Sequence, residues 1–240
     1  MEGIDKNKLP KHIAITMDGN GRWAKTKGKL RIFGHKNGVK AVRDTVEGAA
    51  EIGIEFLTLY AFSSENWNRP EKEVNALMTL LVSAINKETK TLMNNNIRLC
   101  TIGDINKLPS KAQKELQESI TKTKDNTRMT LVLALSYSGR GEIINAVQNI
   151  IKDGKKPEEI NEDTFQQYLT TKSVPDPELL IRTSGEYRIS NFLLWQIAYS
   201  ELYFTDILWP DFRRADLYKA ILNYQKRERR FGKTTEQLQK

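Results

Sequence analysis

Short apolar runs alternate with longer stretches of helical period along most of the chain. His12-Ile13-Ala14-Ile15-Thr16-Met17 reads as a buried strand that breaks at Asp18-Gly19-Asn20-Gly21, after which Arg22-Trp23-Ala24-Lys25 can open a helix. Val39, Val42, Val46 and Ala49 recur at helical spacing, and Gly53 stands where a C-terminal cap glycine belongs. Phe56 to Phe62 is a second strand. Pro70, Glu71 and Glu73 suit the first turn of a helix whose one side carries Val74, Leu77, Met78, Leu81, Ile85 and Leu92. Leu80, Val82 and Ala84 widen that apolar surface, so this helix is expected to touch more than a sheet.

Further strands are expected at Ile97 to Ile102, Met129 to Leu135, Leu179 to Ile181 and around Leu202. Helices are expected from Pro109 (Ala112, Leu116, Ile120), over Ile143 to Ile151, around Phe165 to Leu169, and over Leu217 to Tyr224. This alternation predicts an α/β fold: one domain over residues 1–240, with a mostly parallel central sheet flanked by helices. Residues 1–11 and 232–240 are expected to be flexible ends.

Composition changes this picture in a few places. A net charge of +8 over 240 residues favours anionic partners. The single cysteine, Cys100, excludes an intramolecular disulfide framework and a cysteine zinc site, and suits a reducing, cytoplasmic setting. No apolar run approaches the ~20 residues of a membrane span. The charge is also uneven. Arg22, Lys25, Lys27, Lys29, Arg31, Lys36, Lys40 and Arg43, with His35, face Asp18 as the only acid from residue 18 to residue 43.

Four predicted strands end in polar clusters: Asp18–Arg22, Ser63–Arg69, Ser136–Arg140 and Arg182–Ser190. A parallel sheet gathers such ends at one edge, where ligands bind. Gly19 and Gly21 let backbone N–H groups approach an anion; the same residues would also make a plain strand-to-helix turn. Arg182 and Arg188 offer guanidinium groups suited to phosphate. Two anion sites suggest two phosphorylated substrates, and Asp18 and Glu201 are candidate oxygen ligands for Mg²⁺. Other phosphate chemistries fail on their motifs. There is no adjacent Asp pair for an aspartate-rich prenyltransferase, and Gly232-Lys233-Thr234 lacks the preceding glycine, position 227 being Arg227. Gly139 and Gly141 do not complete a dinucleotide fingerprint. The competing non-enzyme reading is a basic RNA- or membrane-binding module, and the tail Lys226-Arg227-Glu228-Arg229-Arg230 could dock near anionic lipid.

The block His12 to Ala24 resembles the signature of the cis-prenyltransferases (isoprenyl transferases), in their bacterial undecaprenyl diphosphate synthase branch. The likeness continues through Gly34-His35, Leu59 to Pro70, Ile181 to Glu186, Arg188 to Gln196, Glu201 to Phe204 and Trp209-Pro210, in order, to about Phe231. Ser184 stands where a second glycine is frequent, and Ser136-Tyr137-Ser138-Gly139 replaces a more Asn/Gly-rich version.

The resemblance implies a Mg²⁺-dependent transferase that adds isopentenyl diphosphate repeatedly to an allylic diphosphate, usually farnesyl diphosphate, with cis double bonds. Its product would be a long polyprenyl diphosphate such as undecaprenyl diphosphate, the precursor of a cell-wall lipid carrier. By similarity, Gly19, Asn20, Gly21, Arg22, Arg31 and His35 hold the allylic diphosphate, and Arg182, Arg188 and Ser190 hold isopentenyl diphosphate. Asp18 and Glu201 serve the metal. Ser63, Asn66, Trp67 and Arg69 line the reaction centre with Asn66 as proton acceptor; Trp23, Ser64, Glu65 and Ile189 complete the substrate-contacting set. Leu57–Phe62, Val74–Leu92 and Met129–Leu135 would sheathe the growing chain in a hydrophobic tunnel. A homodimer, a cytoplasmic location with peripheral contact to the inner membrane face, and no nucleic-acid partner also follow from the resemblance.

Overall fold

The computed structural model describes residues 3–232, 234 and 237. The expectation of flexible ends therefore falls partly, at 1, 2, 233, 235, 236 and 238–240, outside the described residues. The N-terminal stretch is fastened at several points: Asp5 caps a turn over Lys6–Lys8, its backbone exchanges hydrogen bonds of 3.2 and 2.7 Å with the Gln225 side chain, Ile4 and Leu9 pack on the core, and the Lys11 N–H donates to Glu178.

Six strands form one all-parallel sheet: β1 (His12–Thr16), β2 (Phe56–Ser63), β3 (Ile97–Ile102), β4 (Met129–Tyr137), β5 (Leu179–Arg182) and β6 (Glu201–Phe204). Their spatial order is β3-β4-β2-β1-β5-β6. The α-helices between and after them are α1 (Asn20–Thr26), α2 (Arg31–Ile52), α3 (Glu71–Asn94), α4 (Ser110–Thr123), α5 (Gly139–Lys152), α6 (Glu162–Gln166) and, following β6, α7 (Arg214–Gln225). After β1 the chain moves to β2 on one side and later returns to place β5 on the other. The gap between β1 and β5 is thus the switch point of the sheet, where a doubly wound fold leaves room for ligand.

Alternation along β1 explains how both faces are covered. Ile13 and Ile15 enter the core shared with α2 and α7, while Ala14 faces the opposite core with Leu180 and Phe192. Every residue of β1 is buried. In the β2–β4 ladder the register shifts between Tyr60 and Phe62, and Ala61 between them is exposed.

His12 is buried at the start of β1, with Nδ1 2.6 Å from the Pro175 carbonyl and Nε2 2.7 Å from Thr58 Oγ1. A carbonyl only accepts, so Nδ1 carries the proton and Nε2 accepts from the threonine hydroxyl. Burial pushes the imidazole pKa down to about 4. Between the ordinary histidine pKa and that value the unfolded chain binds more protons than the folded one. Stability is therefore full above about pH 6.5 and falls by about 3 kcal/mol in all as pH drops through 4. Melting temperatures across pH 4–7 should show this slope in the wild type and a flatter one in His12→Gln; equal slopes would assign the acid loss to other groups.

Candidate active site

The four polar clusters read from the sequence meet at the C-terminal edge of the sheet. Thr16 of β1 is level with Arg182 of β5, so Asp18 and Arg182 stand side by side at the switch point. Arg182 Nη2 donates to Asp18 Oδ2 at 3.0 Å, and its Nη1 donates to the Arg188 carbonyl at 2.5 Å and to Ser190 Oγ at 2.7 Å. A buried guanidinium thereby ties the first cluster to the last. Arg22 Nη1 and Nη2 donate to the carbonyl and hydroxyl oxygens of Ser184 at 2.8 and 2.5 Å. Trp67 Nε1 donates to Ser136 Oγ at 2.9 Å, which joins the second cluster to the third.

The departures from the family pattern have a local explanation. Ser184 has φ 82° and Ser136 φ 49°, both in the left-handed region that glycine adopts without cost. At Ser184 the strain brings a gain: its hydroxyl holds Arg22, which a glycine could not do.

The glycine turn is set by close packing. Gly19 has φ 107° and precedes α1 without any side-chain cap. A Cβ at Gly34 of α2 would lie 1.9 Å from the Asn20 carbonyl oxygen, so that glycine lets α2 touch the start of α1. Asn20 is itself buried, with Nδ2 bonded to the Met17 carbonyl.

His35 lies half-buried on the same face of α2, its pKa pushed down to about 4, first by burial, then by the Arg69 charge against the opposing pull of Glu73, with Arg31 adding to the fall. With no anion beside it, the imidazole is neutral at pH 7. Ser63 opens a short turn over Ser64–Asn68, where Asn66 Oδ1 accepts the Ser63 N–H at 3.1 Å.

Beneath this rim lies a cavity of about 640 Å³. Asp18, Asn20, His35, Ser63, Glu65, Asn66, Arg69, Arg182 and Ser190 line its mouth. Val39, Val42, Leu59, Leu77, Leu81 and Leu133 are among the residues that continue it inward, between α2, α3 and the sheet. Burying hydrocarbon there is favourable by about 0.8 kcal/mol per CH₂.

Other expected site residues stand beside the mouth or support it. Gly19, Gly21, Arg22, Arg31, Ser64 and Arg188 surround it without lining the cavity. Trp23 is buried and stacks on Phe33 at 5.8 Å, so it packs the α1–α2 corner. Trp67 packs edge-on against Phe62, and Ile189 joins the core under β5.

Glu201 is the expected residue that the fold keeps apart. It begins β6, level with Leu179 and three residues before the edge where Phe204 meets Arg182. That is about 10 Å of strand. Its carboxylate is bound by Arg227 at 2.8 Å. Among the described residues no group of three or more His, Cys, Asp or Glu is arranged to hold a metal. A divalent cation that draws most of its ligands from substrate phosphates needs only one or two carboxylates. Asp18, one-third exposed at the mouth, fits that requirement by itself.

Three residues escape the sequence reading. Glu186 pairs with Arg22 at 3.1 Å and Arg188 at 2.5 Å; Glu73 pairs with Arg69 at 3.0 Å and Arg31 at 3.8 Å. Each carboxylate holds two site arginines together and occupies them as an anion would. The sequence signal at Glu73 is its place in the first turn of a helix, which says nothing of the arginines it meets. Asn191 donates to Glu65 at 2.6 Å and Ser138 at 2.8 Å, and holds a loop in which Ser190, Asn191 and Leu193 all have positive φ. The basic tail is less free than its sequence suggests, since Arg227, Arg229 and Arg230 pair with Glu201, Glu178 and Glu228. No helix among the described residues is long and apolar enough to cross a membrane.

Comparison with known proteins places this arrangement in context. A family model described as putative undecaprenyl diphosphate synthase matches residues 16–232. An isoprenyl transferase of Chlorobaculum tepidum is 57% identical over 96% of this chain and 88% of its own length. A farnesyl-diphosphate-specific ditrans,polycis-undecaprenyl-diphosphate synthase of Pasteurella multocida is 55% identical over 97% of this chain and 98% of its own. The crystal structure of lavandulyl diphosphate synthase from Lavandula x intermedia, in complex with dimethylallyl diphosphate, superimposes with a TM-score of 0.92 at 36% identity, covering 95% of this chain and all of that one.

Proposed function

The chain belongs to the undecaprenyl diphosphate synthase family of prenyltransferases, and from that premise we propose that it condenses isopentenyl diphosphate with farnesyl diphosphate, repeatedly, to a long polyprenyl diphosphate such as undecaprenyl diphosphate. One observation carries this reading: a rim of arginines and a glycine turn sits over a deep apolar cavity. A molecule with an anionic head and a hydrocarbon tail matches both features.

In this reading the allylic diphosphate lies against Gly19, Asn20, Gly21, Arg22, Arg31, His35 and Arg69. Isopentenyl diphosphate lies against Arg182, Arg188 and Ser190. The allylic C–O bond weakens as negative charge gathers on the leaving diphosphate, and Arg22 and Arg31 stand where that charge develops. Glu186 and Glu73 yield their arginines to the phosphates as substrate enters. Holding both heads at one mouth fixes the reacting carbons near each other. Ser63, Ser64, Glu65, Asn66 and Trp67 form the wall beside that contact. A neutral amide is a weak base, and Asn66 Oδ1 already holds the Ser63 N–H, so Asn66 positions the reacting groups or relays the proton released. Members of this family generally use a metal ion; Mg²⁺ held by Asp18 and the substrate phosphates would neutralise the diphosphate as it leaves. Glu201, bound to Arg227, has no role in that set within one chain. We also infer a homodimer, supported by the apolar stripe Ile144, Val147 and Ile151 exposed on α5.

The test is incubation with farnesyl diphosphate, radiolabelled isopentenyl diphosphate and Mg²⁺, then butanol extraction and chain-length analysis, with an EDTA control. A metal-dependent ladder ending in a long product is expected. Folded protein that extracts no label with any allylic primer would return the basic binding module as the better reading. Arg188 separates the two head sites. Its side chain is largely exposed and bound only by Glu186 among the contacts described. Arg188→Ala should raise KM for isopentenyl diphosphate by about 10- to 100-fold, the cost of a lost charged hydrogen bond. An effect confined to the allylic substrate would mean that the two sites are interchanged.

A further inference from the structure

The turn between α1 and α2 carries a face that the site does not use. Leu30, the residue before α2, is 80% exposed, the most open large apolar side chain among the described residues. It makes no capping hydrogen bond there, where serine, threonine or a carboxylate is the usual choice. Phe33, one turn on, is 37% exposed although its ring stacks on Trp23. Lys36 and Lys40 follow Phe33 at i+3 and i+7 and share its outward stripe of α2, while His35, Val39 and Val42 line the cavity from the other side of the helix. Lys25, Lys27 and Lys29 lead into Leu30 through the turn. All five lysines are exposed, and among the described residues none pairs with a carboxylate; Lys27 lies over the Trp23 ring at 4.7 Å. The basic tail differs, since its arginines are already engaged by Glu201, Glu178 and Glu228.

We propose that this corner is the docking surface for an anionic phospholipid bilayer. Leu30 and Phe33 enter the headgroup layer, and the unpaired lysines meet the lipid phosphates. The inference rests on the prenyl-condensation reading above, which gives docking its purpose. Arg31, next to Leu30, stands at the cavity mouth, where its Nε would lie 2.8 Å from a Cβ on Gly21. Docking at Leu30 therefore sets the mouth beside lipid, and a long hydrocarbon product leaves without crossing water. A second copy of the chain is a poor occupant, because a two-fold contact on this face would bring the lysines against one another. Nucleic acid would satisfy the lysines but gain little from an open leucine.

The experiment is cosedimentation of the full chain, without substrate and at physiological ionic strength, with vesicles of phosphatidylcholine alone or mixed equally with phosphatidylglycerol. It compares the wild type, Leu30→Ser, and the triple variant Lys25→Gln/Lys29→Gln/Lys36→Gln. A second triple variant, Lys111→Gln/Lys114→Gln/Lys124→Gln, removes the same charge from exposed positions in and just after α4. The wild type should prefer the anionic vesicles. A lysine near an anionic surface is worth roughly fivefold in binding, so the first triple variant should lose about 100-fold. Leu30→Ser should lose about tenfold without a lowered melting temperature, since serine also supplies a helix cap. The α4 variant should bind as the wild type does. Equal losses in the two triple variants would overturn the proposal and leave net charge alone as the cause. So would Leu30→Ser binding unchanged, or a wild type that binds neither vesicle or does not distinguish them. A single-stranded RNA held more tightly than the vesicles, and released by the same three lysine changes, would overturn it in favour of nucleic acid. A wild type that docks as expected but makes no prenyl product upholds the surface and fails the functional reading; one that makes the ladder but ignores vesicles does the reverse.

Discussion

An Asp18→Ala enzyme is expected to turn over about 1,000-fold more slowly than the wild type, the scale of removing a group that answers charge on a leaving oxygen. The same substitution should also cost stability. Asp18 Oδ2 accepts from the buried Arg182, and Oδ1 accepts from the Gly19 N–H at 2.6 Å. Alanine leaves that guanidinium with one partner fewer, a loss on the order of 2 kcal/mol. The two effects can be separated with Asp18→Asn, which keeps an acceptor near Arg182 but has no charge to offer a cation. It should melt close to the wild type and still lose most of its turnover. Near-normal kcat in Asp18→Asn would remove the metal role from this residue. Full stability in Asp18→Ala would mean that Arg188 and Ser190 satisfy Arg182 without help.

The second large effect is expected far from any reacting group. Gly34→Ala adds one methyl that would stand 1.9 Å from the Asn20 carbonyl oxygen and 2.7 Å from its carbon. Both are backbone atoms, so no side chain can swing aside. Either α1 or α2 must move, at a cost of about 1–3 kcal/mol or somewhat more. The movement displaces Asn20, Gly21 and Arg22 together, and a shift near 1 Å at such a site costs about 100-fold. The KM for the allylic diphosphate should therefore rise steeply while Arg188's substrate is affected less. Gly141→Ala is the control, because its methyl would meet only Ser138 at 3.3 and 3.4 Å. If both variants behave alike, the α1–α2 contact does not shape the cradle.

How much of this is legible in the sequence can be argued from single residues. The buried run of β1, the glycine turn after it and the eight cations that follow are local patterns, and local pattern is what the chain states directly. The parallel sheet follows from alternation of strand and helix. The meeting of the four polar clusters follows from the rule that strand ends share an edge. Glu201 shows where that rule needs the register. It opens its strand, and the ladder with Leu179 puts it at the end opposite the edge where the four polar clusters meet. Trp23, an aromatic in a functional block, turns inward because Phe33 offers it a stacking partner.

The sequence by itself determined the order of strands and helices, the glycine turn after β1 and the family. Each depends on spacing within a few residues or on blocks quoted in order. Only the tertiary structure decided which charges meet. Arg182 binds Asp18 across 164 positions, Asn191 reaches Glu65 across 126, and Arg43 finds Glu88 across 45. Such pairs leave no period in a sequence, because an ion pair needs only proximity, and proximity is set by how the helices pack on the sheet. The depth of the cavity belongs to the same class. It is the space left between α2, α3 and the strands they cover, and no single segment contains it.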